Sequence, residues 1–482
     1  MTEHISLIGL AMALILPWGM GCIWMHRLLT HSGLPCNWAV VTGVGYFVGL
    51  FFTTLIIRLW DAANLELSFR YINFLLVAMC LVGLTIRGNR GPFRLNAKST
   101  VVQPHWQTAV ITVLIALMIW RQIILIQELW VRPMWGWDTW MNWAPKAIVW
   151  WHSGTLVDYV SPEQWLSQAA GGSSHTLGNY NAWTYPPTVP LILLWSMMGA
   201  GTWDNTLLYL PWILVSVNLG LALFGHLKLA GSTTIAAVIA SYFLLNMPFL
   251  NIHSAVAGYA DIWLGATFGL AVFALHEWHK CRHWSWGLVC VFFGIMCSQL
   301  KIPGLVLSAI ILLSGLRLML NLGWKTELAV CALLLCLVAG SLFFGFELDI
   351  PYLGNVSVRG TNIATSLFGN FDLEYHPVGE SFIQSLLFSI NWNLLWYLLL
   401  AVLLLKLCSG ALLTPASNEL FALFMVAAFI LMVYFLTGSY RNALDQTQLS
   451  RALIYPVPAL IFYIFLGLIS TKVSATARRP AS

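Results

Sequence analysis

A single acid within a tryptophan-rich stretch is the first candidate for chemistry. Asp138 lies in the segment 135–146, WGWDTWMNWAPK, where Trp137, Trp140 and Trp143 recur at intervals of three. A positioned carboxylate can act as a general base, and aromatic faces suit the apolar faces of sugar rings. The simpler alternatives are that Asp138 caps a short helix and that the indoles anchor an interfacial helix. We expect the three tryptophans to share a helix face.

Several basic residues are candidates for holding a leaving phosphate, which needs positive charge as it departs. They are Lys301, Arg451, Arg441, Lys146 and Arg121. Arg441 and Arg451 lie beside the end of an apolar run, where contact with lipid head groups is the alternative. Lys301 lies in a tight turn from which it can snorkel, whereas Arg121 lies inside an apolar run and is expected to be paired or functional.

A second acid, Asp261, follows Gly258-Tyr259-Ala260 at the start of an apolar run. An acid there is costly if it faces lipid, so we expect it to orient Lys301 or an arginine, or to bind the acceptor. Tyr259, Tyr185 and His253 are further candidates for contact with substrate. His253 and His175 are also candidates for acid–base assistance, although lone histidines on outer loops more often have no role.

The sequence does not predict a metal centre. It contains no HExxH pattern, and Asp372, Glu374 and His376 form only a loose group. We therefore predict no cofactor from these residues.

Composition determines the class of protein that must position these residues. The chain has 482 residues, of which 59% are hydrophobic and 9% are charged, and its mean hydropathy is +0.79. Soluble domains contain about 25% charged residues, so we predict an all-α polytopic membrane protein. No basic cluster is interleaved with aromatic residues in a polar segment, which argues against a nucleic-acid partner.

We expect about thirteen transmembrane helices, because a span needs about 20 apolar residues. The runs lie at 5–26, 37–57, 71–87, 105–130, 203–225, 232–250, 257–277, 284–300, 303–322, 327–346, 383–405, 418–437 and 452–471. The first run has no basic segment before it and no small-residue cleavage site after it. It is therefore expected to be a span rather than a cleaved signal peptide.

Lysine and arginine residues predict the orientation of the chain. Most of them fall on one set of loops, above all in 87–98, which places the N-terminus outside and the C-terminus inside. Two long outer segments follow, 131–202 and 347–382. We expect the first to carry short interfacial helices, including one at 191–198, and the second to be an ordered loop with little regular structure. Most acids also fall outside, which favours chemistry there, although short inner loops offer them little room.

The order of the polar blocks resembles that of a known superfamily. WGWDTWMNWAPKA is followed by TYPPTVPLILLW, by Gly258-Tyr259-Ala260-Asp261, by Lys301 between two apolar runs, and by SRALIYP at 450–456. This series resembles the GT-C glycosyltransferases and is similar to the bacterial protein-mannosyltransferase and aminoarabinose-transferase group. The resemblance covers about 105–471 as a catalytic module. It leaves 1–104 as an N-terminal addition of three spans and 472–482 as a cytoplasmic basic tail.

The resemblance implies a polyprenyl-phosphate-linked sugar donor, used at the extracytoplasmic face of a bacterial inner membrane, with Asp138 as the catalytic acid. The acceptor would be a glycan, a lipid or a protein, and some members of the superfamily use a divalent cation. In most members this loop follows the first span and often holds two adjacent acids, whereas Asp138 has no acidic neighbour. A lipid-linked glycan transporter and an O-antigen ligase or polymerase remain the alternatives. No internal repeat favours the transporter, and a ligase is expected to rely on loop arginines and a histidine.

Overall fold

The computed structural model describes residues 5–86, 104–132, 134, 136–168, 174–321, 336, 340, 343–350, 354–365, 369–408 and 418–477. This part of the chain is mostly helical, in agreement with the helical class predicted from composition. The segment 87–98, which was predicted to be an inner loop, and the end of the tail, 478–482, lie outside the described residues.

The described residues of the first half of the chain form helices, together with irregular stretches and one isolated β-bridge between Tyr159 and His175. The helices are α1 (Leu7–His31), α2 (Trp38–Ala62), α3 (Phe69–Thr85), α4 (His105–Val131), α5 (Ala144–Ser153), α6 (Pro162–Ser167), α7 (Thr188–Ala200) and α8 (Leu210–Leu229). Short irregular turns connect them: a π-helical turn at Thr139–Trp143 and 3₁₀ turns at Ala182–Thr184 and Thr206–Tyr209.

The second half combines helices with one small sheet. The helices are α9 (Thr234–Leu245), α10 (Pro248–Ala255), α11 (Asp261–Cys281), α12 (Trp284–Ser298), α13 (Gly304–Leu320), α14 (Gly379–Ile383), α15 (Leu395–Cys408), α16 (Asn418–Leu436), α17 (Tyr440–Leu444), α18 (Leu449–Leu453) and α19 (Val457–Ala477). The strands are β1 (Phe346–Ile350), β2 (Gly354–Arg359), β3 (Asn362–Thr365) and β4 (Gly369–Asp372).

Several helices are long and apolar enough to cross a membrane. Within the described residues there are five: α1, α2, α4, α16 and α8 with the 3₁₀ turn before it. The pair α9 and α10, bent by 57° at its break, makes a sixth if it is counted as one span. Shorter apolar helices account for much of the remainder, so the expected number of about thirteen stays a prediction.

Two predicted spans have a different form in the structure. The run 232–250 is divided into α9 and α10, because Pro248 lacks a backbone N–H and holds Met247 in an extended conformation. The run 383–405 is not one helix. It consists of α14, a π-helical turn at Gln384–Phe388, a 3₁₀ turn at Ile390–Trp392 and then α15. The run 327–346 falls largely outside the described residues.

Helix α11 lies at the centre of the bundle. It is buried without interruption from Asp261 to Leu275, as expected for a helix that is apolar on all sides. Trp263 of α11 packs edge-on against Phe47 of α2, with ring centroids 6.1 Å apart. The hydroxyl of Tyr46 also donates to the carbonyl of Pro211 at the start of α8, at 2.9 Å. Helix α2 is therefore part of the core, and the domain boundary at residue 104 stays a prediction.

The segment 347–382, which was predicted to be an outer loop with little regular structure, contains a small sheet, so that expectation was wrong. Strands β1 to β4 form an antiparallel meander in sequence order, with Leu348 opposite Val356 and Ile363 opposite Phe371. Gly360 adopts a φ of +61° at the β2–β3 turn, a conformation that glycine allows without steric cost. Antiparallel strands joined by short turns pair locally. This pairing satisfies the backbone of a segment that is too polar to form a span.

Helix α7 corrects the prediction of a surface helix at 191–198. It starts earlier, at Thr188, and nearly every residue in it is buried. Trp195 donates from its indole N–H to the carbonyl of Ala13 in α1, at 2.8 Å. The helix is apolar all round, so it packs inside the bundle instead of lying along the membrane surface.

Candidate functional site

The segment that carries Asp138 is held against the loop between α10 and α11. The Thr139 hydroxyl donates to the carbonyl of Ala257 at 2.7 Å. Gly258 has a φ of +98°, and a Cβ there would overlap the side chain of Thr139. A Cβ on Gly136 would likewise come too close to the ring of Tyr259. Two glycines therefore allow the backbones to approach closely enough to hold Asp138 beside the start of α11.

The carboxylate of Asp138 forms an ion pair with Arg451 instead of capping a helix. Its Oδ2 accepts from Nη2 of Arg451, and the Asp138 side chain makes no capping bond to the turn that follows. Only 12% of the Asp138 side chain and 18% of the Arg451 side chain are exposed. The capping alternative for Asp138 is therefore wrong, and its carboxylate belongs to a cluster of charged groups.

Asp261 is the centre of that cluster and is fully buried. Its Oδ2 accepts from Arg451, at 3.0 Å from Nε and 2.7 Å from Nη2. Its Oδ1 accepts from Lys301 Nζ at 2.6 Å and from the Tyr455 hydroxyl at 2.9 Å. The expectation that Asp261 orients Lys301 or an arginine is confirmed for both residues. Two acids and two bases balance in charge, which allows this set to be buried.

Helix ends bring these residues to one end of the bundle. Asp261 is the first residue of α11, where the helix dipole favours a negative charge. Lys301 follows α12, Arg451 lies in α18, and Tyr455 lies in the turn before α19. Each of these residues lies at or close to a helix end, so the polar side chains meet where the apolar bundle is interrupted.

A cavity of about 670 Å³ lies against this cluster. Arg451 and Tyr259 line both the cavity and the cluster, and the guanidinium of Arg451 lies 4.9 Å from the centre of the Tyr259 ring. The complete lining consists of Phe249, Ile252, His253, Val256, Tyr259, Gln384, Ser385, Phe388, Ser389, Ile390, Asn391, Gln446, Thr447, Ser450 and Arg451. Cavities of about 300–1,000 Å³ are typical of sites for small ligands.

His253 is buried in the wall of the cavity. Its ring lies 4.8 Å from that of Phe249 and 5.4 Å from that of Tyr259, measured between centroids. Its Nδ1 has no hydrogen-bond partner among the described residues. This nitrogen is almost inaccessible, so it lies within the wall and not on the surface of the cavity.

Tyr185 and Trp143 both belong to the segment 131–202 and pack against each other. Their ring centroids lie 4.9 Å apart. Burial, followed by the nearby charge of Asp138, raises the pKa of the Tyr185 hydroxyl. Tyr185 is therefore neutral at physiological pH. It is not among the residues that line the cavity, so its contact with substrate stays a prediction.

Lys146 has a different place from the one predicted for it. Its ammonium group donates to the carbonyls of Trp183 at 3.1 Å and Tyr185 at 2.6 Å. Burial lowers its pKa to about 8. Lys146 thus ties α5 to the segment before α7, and the structure does not place its ammonium group on a carboxylate of the cluster.

Arg441 and Arg121 also lie apart from the cluster. Arg441 is exposed and stacks on its neighbour Tyr440. Arg121 is paired, as its place in an apolar run predicts. Asn251 of α10, with its amide oriented to satisfy both contacts, accepts from Arg121 Nε at 3.1 Å and donates to the carbonyl of Leu245 at 2.9 Å. This pair joins α4 to the break between α9 and α10.

The three tryptophans do not share a face, so that expectation was wrong. Trp137 and Trp140 are 55% and 54% exposed, whereas Trp143 is 1% exposed. The cause is the π-helical turn at Thr139–Trp143, in which bonds from residue i to i+5 replace the α-helical pattern. Trp143 is consequently rotated into the core, while the other two indoles lie at the surface as an interfacial anchor would.

Sequence reasoning missed the neutral polar wall of the cavity. Gln384, Ser385, Ser389 and Asn391 belong to the run 383–405, which hydropathy assigned to a span. Four polar residues within eight positions were the available signal. Tyr455 was quoted in the SRALIYP block, but its role as a donor to Asp261 depends on tertiary contact.

The described residues do not contain a group of three or more His, Cys, Asp or Glu side chains arranged to hold a metal ion. In the loose group noted in the sequence, Asp372 accepts from Asn362 at 2.8 Å. His376 stacks on Tyr440 at 3.8 Å between centroids. Asp372 and His376 therefore have other partners.

Comparisons of the chain with protein-family models, with curated proteins and with solved structures found no match. The case for a function therefore depends on the geometry of the cluster and of the cavity beside it.

Proposed function

We propose that the chain is a membrane-bound glycosyltransferase of the bacterial inner membrane. It moves a sugar from a polyprenyl-phosphate donor to an extracytoplasmic acceptor, with Asp138 as the general base. The observation that carries the proposal is that Arg451 joins Asp138 to a ligand-sized cavity. A base and a cation therefore lie at one edge of a space where a donor can bind.

Arg451 has the properties of a phosphate-binding residue. Its guanidinium group lines the cavity and offers a planar set of donors that matches phosphate oxygens. Asp261 holds Nε and Nη2 of Arg451, which fixes the plane of the group. Lys301 contributes a second positive charge through its contact with Asp261, so both cations remain close to where negative charge develops.

The shared pairing of Arg451 suggests how the base is activated. An incoming donor phosphate competes with Asp138 for Arg451 and so frees the carboxylate. Asp138 then accepts the proton of the acceptor hydroxyl while that oxygen bonds to the anomeric carbon. The bond from the anomeric carbon to the phosphate oxygen breaks, and polyprenyl phosphate departs with its charge facing Arg451. A single displacement of this kind inverts the anomeric configuration.

The rim of the cavity supports a lipid-linked donor. Ile390 and Phe388 line the cavity yet remain 83% and 66% exposed. They continue into the exposed apolar side chains of α15, such as Leu394 just before it and Leu398 within it. A polyprenyl chain bound along this apolar surface would leave its phosphate near Arg451.

A transfer assay with radiolabelled polyprenyl-phosphate sugars and membrane acceptor extracts tests the proposal. Asp138→Asn should lower turnover about 10²–10⁴-fold, the usual contribution of a general base. The variant should remain folded, because Arg451 keeps its pairing with Asp261. Glu163→Gln is the matched control, since Glu163 is an exposed acid of the same outer segment that pairs with Tyr180. Near-normal turnover by Asp138→Asn would exclude it as the base.

A lipid-linked glycan transporter is the second candidate, and one observation favours it. Helices α9 and α10 form a pair bent by 57°, and residues of α10 line the cavity. Broken helices of this kind often form the binding sites of transporters. Vesicles that contain the protein and a fluorescent polyprenyl-phosphate sugar distinguish the two. Movement of the lipid between leaflets without consumption of the donor would favour transport.

A further inference from the structure

The cavity wall combines one charge with many neutral polar groups. Arg451 is the only lysine, arginine, aspartate or glutamate among its lining residues in the described chain. The other polar groups, apart from those of His253 and Tyr259, are amides and hydroxyls: Gln384, Ser385, Ser389, Asn391, Gln446, Thr447 and Ser450. Such groups bind hydroxyls well, because each can both donate and accept.

Hydrogen bonds hold part of this neutral wall in a fixed arrangement. Asn391 donates from its amide to the Ser450 hydroxyl at 3.1 Å, and the hydroxyls of Ser385 and Ser450 lie 3.1 Å apart. Gln446 donates to the carbonyl of Ser381 at 3.0 Å. Ser450 directly precedes Arg451, so the neutral wall and the charged group are joined by backbone. A ligand that carries an anionic group next to several hydroxyls would place its anion at Arg451 and its hydroxyls along the neutral wall.

Aromatic side chains complete the wall. Phe249, Tyr259 and Phe388 line the cavity, and aromatic faces pack against the apolar faces of sugar rings. The combination of amides, hydroxyls and aromatic faces is that expected for a sugar unit.

The nearby carboxylates do not provide a site for a cation. Neither Asp138 nor Asp261 lines the cavity, and Asp261 is paired with Arg451 and Lys301. A positively charged amino sugar would therefore meet Arg451 without an available carboxylate in the wall. A sugar acid would compete with the phosphate for the same guanidinium group. Both cases leave a charge poorly compensated in a partly buried site.

We infer that the cavity binds the sugar unit of the donor and selects an uncharged sugar over amino sugars and sugar acids. This inference rests on the proposed function and specifies the substrate class of the same site. The volume of about 670 Å³ suits a single sugar with its phosphate better than a long glycan.

Direct binding tests the inference separately from turnover. Full-length protein in nanodiscs is titrated with three probes: undecaprenyl phosphate, undecaprenyl-phosphate glucose and undecaprenyl-phosphate 4-amino-4-deoxyarabinose. The neutral glucose conjugate should bind at least about tenfold more tightly than the sugar-free lipid, which corresponds to one or two good hydrogen bonds. The amino sugar conjugate should bind no more tightly than the sugar-free lipid.

A charge introduced into the wall should change this preference. Gln384→Glu places a carboxylate of the same size in the cavity and should raise the affinity for the amino sugar conjugate about tenfold relative to glucose. Gln448→Glu makes the same substitution at an exposed residue that does not line the cavity, and it should leave both affinities unchanged.

The outcomes separate the inference from the proposed function. If the two sugar conjugates bind equally and Gln384→Glu changes neither, the inference is wrong, while binding of undecaprenyl phosphate would leave the proposed function in place. If none of the three lipids binds, the proposed function fails and the inference fails with it.

Discussion

Removing the charge of Asp261 should strongly destabilise the protein. Asp261→Asn keeps the size of the side chain but leaves Arg451 and Lys301 without their shared carboxylate. The wild-type carboxylate accepts from Lys301 at 2.6 Å, from Arg451 at 2.7 and 3.0 Å, and from Tyr455 at 2.9 Å. Breaking a buried ion pair by removing one partner costs about 3–5 kcal/mol. We expect a loss of this size, because only Asp138 remains to balance two positive charges.

A double-mutant cycle with Lys301→Met tests the cause of that loss. Lys301 donates to Asp261, so removing both partners should cost less than the two single losses together, with a coupling of about 0.5–3 kcal/mol. Unfolding is followed in mixed micelles by circular dichroism as the fraction of denaturing detergent rises. Glu163→Gln, at an exposed acid, should change stability by less than about 0.5 kcal/mol.

Two results would refute this reasoning. A change below about 0.5 kcal/mol for Asp261→Asn would mean that the buried charges do not depend on it. Additive losses in the cycle would mean that Lys301 and Asp261 act independently, and the contact at 2.6 Å would then have no energetic role.

Three further predictions concern the segment around Asp138. Burial lowers the pKa of Lys146 from 10.5 to about 8, so the unfolded chain binds more protons than the folded one between these values. Stability should therefore rise by up to about 3 kcal/mol from pH 8 to 10, and Lys146→Met should remove this rise in thermal unfolding scans. Trp143→Ala should cost about 3–5 kcal/mol because Trp143 is buried, whereas Trp140→Ala should cost less than about 1 kcal/mol because its indole is exposed. Gly258→Ala should lower the thermal midpoint and the transfer rate together, because the new Cβ would strain a φ of +98° and overlap Thr139.

A different experimental result would contradict each of these three predictions. An unchanged pH profile for Lys146→Met would show that another group titrates in that range. Equal losses for the two tryptophan variants would contradict the π-helical turn, since an α-helix would place both indoles on one face. A stable, active Gly258→Ala variant would show that the two loops do not need the close approach seen between Gly258 and Thr139.

The sequence identified most members of the charged cluster. Asp138, Asp261, Lys301 and Arg451 were all singled out, because charges in a chain with 9% charged residues are costly near lipid and need a partner or a role. Composition likewise predicted the helical membrane class. These inferences succeed because each depends on the free energy of a residue type in an apolar medium.

Tertiary structure decided which charges meet. Arg451 pairs with Asp138 and Asp261, from which it is 313 and 190 positions distant in the sequence. The sequence also offered Lys146 and Arg441 as phosphate ligands, on the same grounds as Arg451. In the structure, however, Lys146 binds backbone carbonyls and Arg441 is exposed. Spacing along the chain carries no information about such contacts, because the packing of separate helices determines them.

Local backbone geometry was the other feature that the sequence did not determine. Hydropathy took the run 383–405 as one span, and periodicity placed Trp143 beside Trp137 and Trp140. Both inferences assume a regular α-helix, whereas π-helical turns interrupt it at Thr139–Trp143 and Gln384–Phe388. An interrupted helix leaves backbone polar groups that need partners, and in an apolar bundle the interruption is stable where it lines a cavity. The sequence therefore determined which residues must avoid lipid, and the packing of the broken helices decided that they surround a shared site.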